Sequence, residues 1–562
     1  YDYSYGVQST DGALRYFSPP TVTQTGYTLP TSANPVPPPP VVPLGAANNT
    51  SALTGVTLNP VASVSRGYFS EPFQVVLSCA TPGAAIRYTL NGTPPTAAAT
   101  LYAGPLTVSA TTVLRFAAFG TGLVSSEGVT HSYLFLDNVV NQPSPPYDNP
   151  ANATDNTNPQ PPSVGGTALP VAWGSNGTGA FPGLITNLNT NEVPADYGMD
   201  PKVYADPTLY DDTGAVNAAG RTNLSRIKQG LRDLPMISVV MTPGDMWGAG
   251  GLYPTASESD HSDRTKPCSL EMIEPDGSTG FHVDCGIDLH GNASRAPYKN
   301  PKHGFTLRFK GKYGSGKVEG NIFPDSPVRE WDKLVLRGDF NSSWLHQNGT
   351  PGIAAGSDSY QRPRGIRIRD AWCKDTFRDM GHAAGHHRFG NLFINGLYWG
   401  TYELAEDEAD DFCASYLGGN KADYDVIDQG TLKSGTWTAY YAMKSLLGWT
   451  GATFTTVPVY TTAITNTQYE QIKQYLDVPW FIDYMVLHFF SGHRDWGTTT
   501  DYNKNWYVIR PKNGTFKYLP WDQENLLWHE SEDRVTGATS FGTSPSIYPP
   551  TAIHPRLKSN AQ

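Results

Sequence analysis

Phosphate chemistry and metal chemistry leave different short signatures, and this sequence of 562 residues offers a candidate for each. Gly311 to Lys317, GKYGSGK, has the G-x-x-x-x-G-K spacing of a loop that cradles phosphates with backbone N–H groups. Val318 follows where such a loop needs Ser or Thr for magnesium, and no strand-to-helix context surrounds it, so the stretch reads as a hairpin tip. Asp522 closes an apolar strand, FKYLPW, a place that suits a metal-binding carboxylate and that turns favour as well.

The cysteines come next. Cys268 and Cys285 lie symmetrically about Asp276-Gly277. If that dipeptide is a two-residue turn between LEMIEP and HVDCGIDL, the two sulfurs sit directly opposite, as a cross-strand disulfide requires; a one-residue bulge would break the register and leave two buried thiols. Cys373 and Cys413 form a second pair by elimination, and Cys79 is left on an apparent strand, FQVVLSC, as a small buried hydrophobe. With no C-x-x-C, a structural zinc site is not indicated.

N-x-[ST] sequons begin at Asn48, Asn49, Asn91, Asn152, Asn176, Asn223, Asn292, Asn341, Asn348 and Asn513. That density fits a glycosylated protein outside the cell or on its surface, and an Asn- and Thr-rich composition produces it too. The chain starts at Tyr1 with no basic-then-apolar leader, which fits a mature product after signal cleavage or a piece of a longer one.

The elements that must position these groups differ along the chain. Its length calls for about three or four domains. Gly 56, Pro 46 and Tyr 31, with 16% charged residues, suggest β-rich modules on extended connectors. A net charge of −11 without a basic run argues against nucleic acid or an anionic membrane as partner. No window reaches a membrane span; the nearest, Val478 to Phe490, is interrupted by Asp483 and His488.

Residues 26–54, with Pro35, Pro37 to Pro40 and Pro43, favour extended polyproline II. Residues 55–137 alternate with a strand period, Ile86, Tyr88 and Leu90 on one side and Leu114, Phe116 and Ala118 on one side, which predicts a small antiparallel sandwich. Residues 138–233 read as an irregular Pro/Asn/Gly-rich connector. From Leu234 onwards LPMISVVM, the LEMIEPDG/GFHVDCGIDLHG hairpin, HGFTLRFKGKYG and KLVLRGDF predict strands. Helical signals follow in IRIRDAWCKDTFRDMG, DEADDFCASYLGG, TAYYAMKSLLG and Val478 to Phe490, where Pro479 suits a first turn.

Several of these stretches resemble known families. YDYSYGVQSTDGALRYFSPP, within residues 1–25, looks like the closing strands of a lamin-tail-like domain. EPFQVVLSCATPGAAIRYTLNGTPPT and LYAGPLTVSATTVLRFAAF resemble the chitobiase/hexosaminidase C-terminal-like domain, an immunoglobulin-like module that normally serves as a spacer or binding platform. GIDLHGNASR, NPKHGFTLRFKGKYG, WDKLVLRGDFNSSW, NLFINGLYWGTYELAEDEADDF and DYNKNWYVIRPKNGTFKYLPWD look like successive motifs of the CotH kinase-like family, placed in residues 234–562. The tail SIYPPTAIHPRLKSNAQ reads as the start of a helix which that family continues, an expectation of truncation at Gln562.

The resemblance implies an α+β kinase-like two-lobed domain behind an immunoglobulin-like β-sandwich, with ATP and Mg or Mn as cofactors if it is active. Phosphoryl transfer needs a cation on the phosphates, a metal held by oxygen ligands and a carboxylate for the accepting hydroxyl. By position, Lys302 would reach the phosphates, Glu406 would hold Lys302, Asp495 would be the catalytic carboxylate, and Asn505 and Asp522 would bind metal. On spacing alone, a surface lysine on a strand and a solvated glutamate at a helix start are an equal alternative for the first two. In ordinary protein kinases an Asn follows five residues after the Asp of His-Arg-Asp; Thr500 stands there, and the nearest amides are Asn503 and Asn505.

Three functions compete: an extracellular kinase acting on surface proteins; a glycosylated structural subunit of a filament, sheath or adhesin, paired with copies of itself, whose kinase-like domain is inactive; and a carbohydrate-binding surface protein using exposed aromatics.

Overall fold

The computed structural model describes residues 4–7, 14–17, 52–53, 55–142, 163–164, 167–169, 172–175, 192–194, 197, 224–256, 264–296, 302–338, 340, 365–448, 462–496, 505–528 and 550–560. Asn48, Asn49, Asn152, Asn176, Asn223, Asn341 and Asn348 lie outside these residues.

Near the start of the chain, Ser4–Val7, Leu14–Phe17 and Ala52–Leu53 form a three-stranded sheet. The sandwich follows. Its main sheet orders Gly67–Phe69, Val129–Phe135, Thr112–Phe119, Ala85–Thr89 and Thr100–Leu101, with short ladders on the other side. Leu114, Phe116 and Ala118 enter its core with Tyr133 and Phe135. Leu90 does not: it lies beyond the end of its strand and is 43% exposed. Cys79 is only half-buried, its thiol donating to the Leu58 carbonyl at 3.3 Å.

The segment expected to be an irregular connector contains regular structure. A helix, Leu136–Val140, continues directly from the last sandwich strand, and Leu224–Asp233 forms another, packed against it. Leu136, Val139, Val140 and Leu231 bury a shared apolar face with Met236 and Phe393, which supplies the burial that a Pro- and Gly-rich composition hides.

From Met236 the chain builds a closed barrel of seven strands: Met236–Val240, Lys266–Ile273, Thr279–Leu289, Phe305–Arg308, Lys333–Arg337, Leu397–Glu406 and His387–Ile394, the last pairing in parallel with the first. Ile237, Val239, Leu270, Ile287, Leu307, Leu334, Leu336, Leu392 and Leu404 belong to one buried core, as the two-residue strand period requires of one barrel face. Behind the barrel, Tyr424–Asp428, Thr431–Ser434, Trp506–Pro511 and Lys517–Pro520 form a four-stranded sheet. Helices Arg369–Asp379, Asp410–Leu417, Thr438–Leu446 and Val478–Ser491 share a second core with it. Pro479 sits in the first turn of the last, and Asp477 caps it by accepting from the Trp480 N–H at 3.2 Å.

The sandwich is packed on the barrel. Residues alternate along its strands, so that Leu114 and Tyr133 point into its own core while Val113, Arg115, Thr130, Ser132 and Leu134 meet the barrel side. There Ser132 hydrogen-bonds to Ser238 at 2.7 Å and donates to Glu271, Arg66 pairs with Glu271 at 2.8 Å, and Arg115 with Asp284 at 3.5 Å. Gly92, at φ 81°, lies so close that a Cβ would come within 2.4 Å of the Met241 carbonyl.

The predicted hairpin is present, and Cys268 pairs with Cys285 in register. A bulge does occur, between Met272 and Ile273, but the loop around Gly277, at φ 85°, compensates before the cysteines are reached. The two are thiols with sulfurs 3.5 Å apart, not a bridge. Cys373 and Cys413 are likewise separate buried thiols; Cys373 faces the Gln523 side-chain oxygen at 3.5 Å, a neighbour that elimination among cysteines could not foresee.

Candidate functional site

The GKYGSGK stretch leads into Val318–Glu319, which pairs with Glu330–Trp331; Lys317 binds Glu330 at 2.7 Å, so the loop is a hairpin without a helix behind it. The groups worth attention gather elsewhere, where the barrel meets the four-stranded sheet.

Two adjacent strands of that sheet end together. Trp506 pairs with Pro520, so Asn505 and Asp522 emerge at the same edge of neighbouring strands, which lie roughly 5 Å apart. Asn505 donates through Nδ2 to Asp495 Oδ2 at 3.2 Å and to the Asp495 carbonyl at 3.0 Å, and its backbone N–H donates to Gln429 Oε1 at 3.0 Å. Asp495 is carried on the loop after the Val478–Ser491 helix. That loop is tied to the segment after Asp522 by Arg494 N–H to the Asn525 carbonyl, 3.0 Å, and Leu527 N–H to the Ser491 carbonyl, 2.7 Å. Gln429, Asn505, Asp522 and Leu527 all have left-handed backbones, φ 44–59°. Such conformations are uncommon for side chains other than Gly and persist where surrounding contacts fix them, often at functional sites.

The opposite wall is the outward face of the barrel. Along Leu397–Glu406, Tyr402 and Leu404 point into the barrel core and Glu406 follows them in the same phase, while Glu403 points the other way. This phase overturns the expected Lys302–Glu406 pair. Glu406 accepts from Trp331 Nε1 at 2.7 Å, from the His386 N–H at 2.8 Å and from the Tyr416 hydroxyl at 2.8 Å. Its strand partner is Leu334, whereas the Lys302 backbone abuts Gly338, four residues or roughly 13 Å along the same strand. The Lys302 ammonium lies 5.6 Å over the Trp399 ring.

What sequence reasoning missed is Arg337, in the quoted KLVLRGDF. In register with Glu403, it contacts Glu403 at 3.4 Å, Asp370 at 3.6 Å, Asp522 at 3.4 Å and Glu524 at 3.0 Å. Asp370 Oδ1 accepts from the Gln523 N–H at 2.7 Å, and Lys374, one helical turn on, reaches Asp370 at 3.4 Å and Glu408 at 3.7 Å. The i,i+4 spacing of Asp370 and Lys374 was the available signal, but no sequence spacing ties either to residue 337 or 522.

Burial opposes the charge on Arg337, but Asp370, Glu403, Glu524 and Asp522 outweigh it and hold the guanidinium protonated more firmly than in water. Burial likewise works against Asp370, yet Arg337 and Lys374 keep its carboxyl well below the usual range. Glu408 and Asp522 go the other way, pushed up by burial, with Lys374 and Arg337 respectively pulling back. Asp522 keeps 43% of its side chain open to solvent, which softens that push.

Arg337 and Lys374 between them contact Asp370, Glu403, Glu408, Asp522 and Glu524, and His387 Nδ1 lies 3.8 Å from Glu403. Asp370 Oδ2, on a side chain only 3% exposed, is the oxygen that both Arg337 and Lys374 approach, at 3.6 and 3.4 Å. The side-chain acceptors are hard oxygens, and Asn505 gives its NH₂ group to Asp495. Among the described residues no group of three or more His, Cys, Asp and Glu that could hold a metal ion is found.

Fold and site thus define a β-rich multidomain protein, a sandwich docked on a barrel whose outer face meets a helix-and-sheet body at a largely buried network of carboxylates around Arg337. Residues 64–130 match the family model of the chitobiase/β-hexosaminidase C-terminal domain and residues 364–553 that of the CotH kinase protein, so the chain carries both domains in the order its motifs suggest. Asp370, Glu403, Asp495, Asn505 and Asp522 fall inside the second match; Lys302 and Arg337, with five of the seven barrel strands, precede it. No curated protein matches the chain.

Proposed function

We propose that the C-terminal body is a CotH-type phosphotransferase, dependent on ATP and a divalent metal, that works outside the cell or on its surface on hydroxyl groups of surface proteins. The observation that carries this is the shared strand edge of Asn505 and Asp522, with Asp495 hydrogen-bonded to Asn505, inside the CotH kinase match. Barrel and helix-and-sheet body act as the two lobes. Asp522 and the Asn505 amide oxygen would hold magnesium or manganese, which when bound would supply charge neutralisation at the phosphates. Asp495, fixed by Asn505, orients the accepting hydroxyl and takes its proton. Arg337 and Lys374 hold the acidic wall together. Exposed Asn292 and Asn513 can carry the glycans of an external protein, whereas Asn91 is half-buried.

Heat stability in millimolar ATP with magnesium or manganese tests the reading. The wild type should gain a few degrees, because a ligand bound only by the native state stabilises it by about 2.7 kcal/mol at a hundred times its Kd, and Asp522→Ala should lose the gain. No shift in the wild type would overturn it.

One observation favours a second reading, the structural subunit assembled from copies of itself. Ile482, Val486 and Phe490 form an i, i+4, i+8 stripe on the Val478–Ser491 helix, 53, 52 and 74% exposed, the kind of apolar face that protein contacts cover. For carbohydrate stacking, none of the tryptophans whose burial is described is exposed, and Tyr441, 49% exposed and stacked on Trp437, is the exposed aromatic ring with a polar tip that such a reading would use.

A further inference from the structure

Asp495 sits on a short loop that is pinned on both sides of it. Upstream, the Arg494 N–H donates to the Asn525 carbonyl at 3.0 Å, and the Arg494 guanidinium lies 5.1 Å over the Trp528 ring. Downstream, Trp496 turns its ring into the core, 4.5 Å from the ring of His488 and 6.0 Å from that of Tyr484. Both partners come from the Val478–Ser491 helix, one turn apart, and Gly492, left-handed at φ 60°, lets the chain double back to them. The Trp496 Nε1–H donates to the Tyr484 hydroxyl at 2.9 Å, and the His488 Nδ1–H to the Tyr484 carbonyl at 2.9 Å. Apolar area by itself keeps the Trp496 ring inside; the hydrogen bond adds its orientation, because an indole has a single polar atom. The Tyr484 ring packs on Phe377, Phe481 and Tyr518, contacts that a phenylalanine would keep, so the hydroxyl is the part of this side chain that packing does not require.

We propose that Tyr484 is a positioning residue for Asp495: its hydroxyl fixes the indole of Trp496, and the adjoining backbone thereby aims the Asp495 carboxylate at the hydroxyl that accepts the phosphoryl group. This inference rests on the role that the proposed function gives Asp495. Asn505 holds the carboxylate through Oδ2 and one point of the loop through the main-chain carbonyl. How the loop is rotated about that point is set by its flanks, and on the side of Trp496 the directional contact is the bond to Tyr484. A general base works only within hydrogen-bond reach of the proton it takes, and a misplacement of about 1 Å can cost about a hundredfold in rate. A buried phenol twelve residues upstream therefore acts on the reaction without touching substrate.

The test is steady-state transfer of the ATP γ-phosphate by the full chain, with manganese, to a peptide bearing serine and threonine and to water. Tyr484→Phe should lower kcat about tenfold, within the range that small displacements of a reacting group produce, and leave KM for ATP unchanged. In an Asp495→Asn background the same change should lower the residual rate no further, because a residue that acts through the carboxylate then has nothing to act on. Trp496→Phe, which keeps a ring and removes the donor, should match Tyr484→Phe and serves if that variant does not fold. An unchanged kcat, a rise in KM that parallels the fall in kcat, or the same fractional loss with and without the Asp495 carboxylate overturns the positioning role and leaves the proposed function standing. No transfer by the wild type to either acceptor overturns both.

Discussion

At the scale of single residues, the two glutamates of YELAED show how little separates a structural role from a functional one. Glu406 and Glu403 are three apart on one strand, hence on opposite faces, and only Glu403 meets Arg337. Glu406→Ala should remove the shared acceptor of Trp331, Tyr416 and His386 and cost about 3 kcal/mol, read as a lower denaturation midpoint, while the folded protein retains whatever metal–ATP binding the wild type has. Loss of that binding at unchanged stability would restore Glu406 to the site.

Between elements, the decisive contact is the face shared by the sandwich sheet and the barrel strands Lys266–Ile273 and Thr279–Leu289. Glu271 is fully buried there, and burial, outweighing Arg66 and Ser132, lifts its carboxyl from 4.5 to about 7. A carboxyl raised on folding favours the folded state at low pH, so its contribution is complete below about 4.5 and disappears as pH rises through about 7. His131 and His282, lowered by burial and Arg66 to about 4 and about 3, act in the opposite sense, losing stability as pH falls below 6.5. Asp284, raised by burial against Arg115, and Tyr133 complete the titratable set at this face. Stability should therefore peak on the acid side of neutrality, and Glu271→Gln should remove the loss that runs from about pH 4.5 to about 7, up to about 3 kcal/mol across that whole window in urea titrations. An unchanged alkaline limb would show that Glu271 stays ionised beside Arg66.

Across the whole molecule, the docked sandwich is a structural part of the barrel body, held by buried polar contacts and by the close approach of Gly92 to Met241 and Asn395. The two should unfold in one calorimetric transition. Gly92→Ala must relieve both a left-handed backbone and a carbonyl clash, so we expect about 2–4 kcal/mol lost and the sandwich melting ahead of the barrel. A single unshifted transition would mean that the face tolerates separation.

Local pattern and motif order together determined a great deal. Strand periodicity located Leu114, Phe116 and Ala118 in the sandwich core, helical signals located four of the helices of the C-terminal body, and symmetry about Asp276-Gly277 brought Cys268 opposite Cys285. Residues within a few positions of each other answer to such rules because the backbone period alone decides which way they point. The Asn505–Asp495 contact was half legible, since motif order named both residues without their distance. Tertiary structure alone decided that Arg337 joins residues 370, 403, 522 and 524, that Lys302 turns to Trp399, and that a spacer-like sandwich is seated on a barrel. Those outcomes depend on which strand ends are brought together when the barrel closes and on which face of each strand is already filled, and no window of neighbouring residues contains that information.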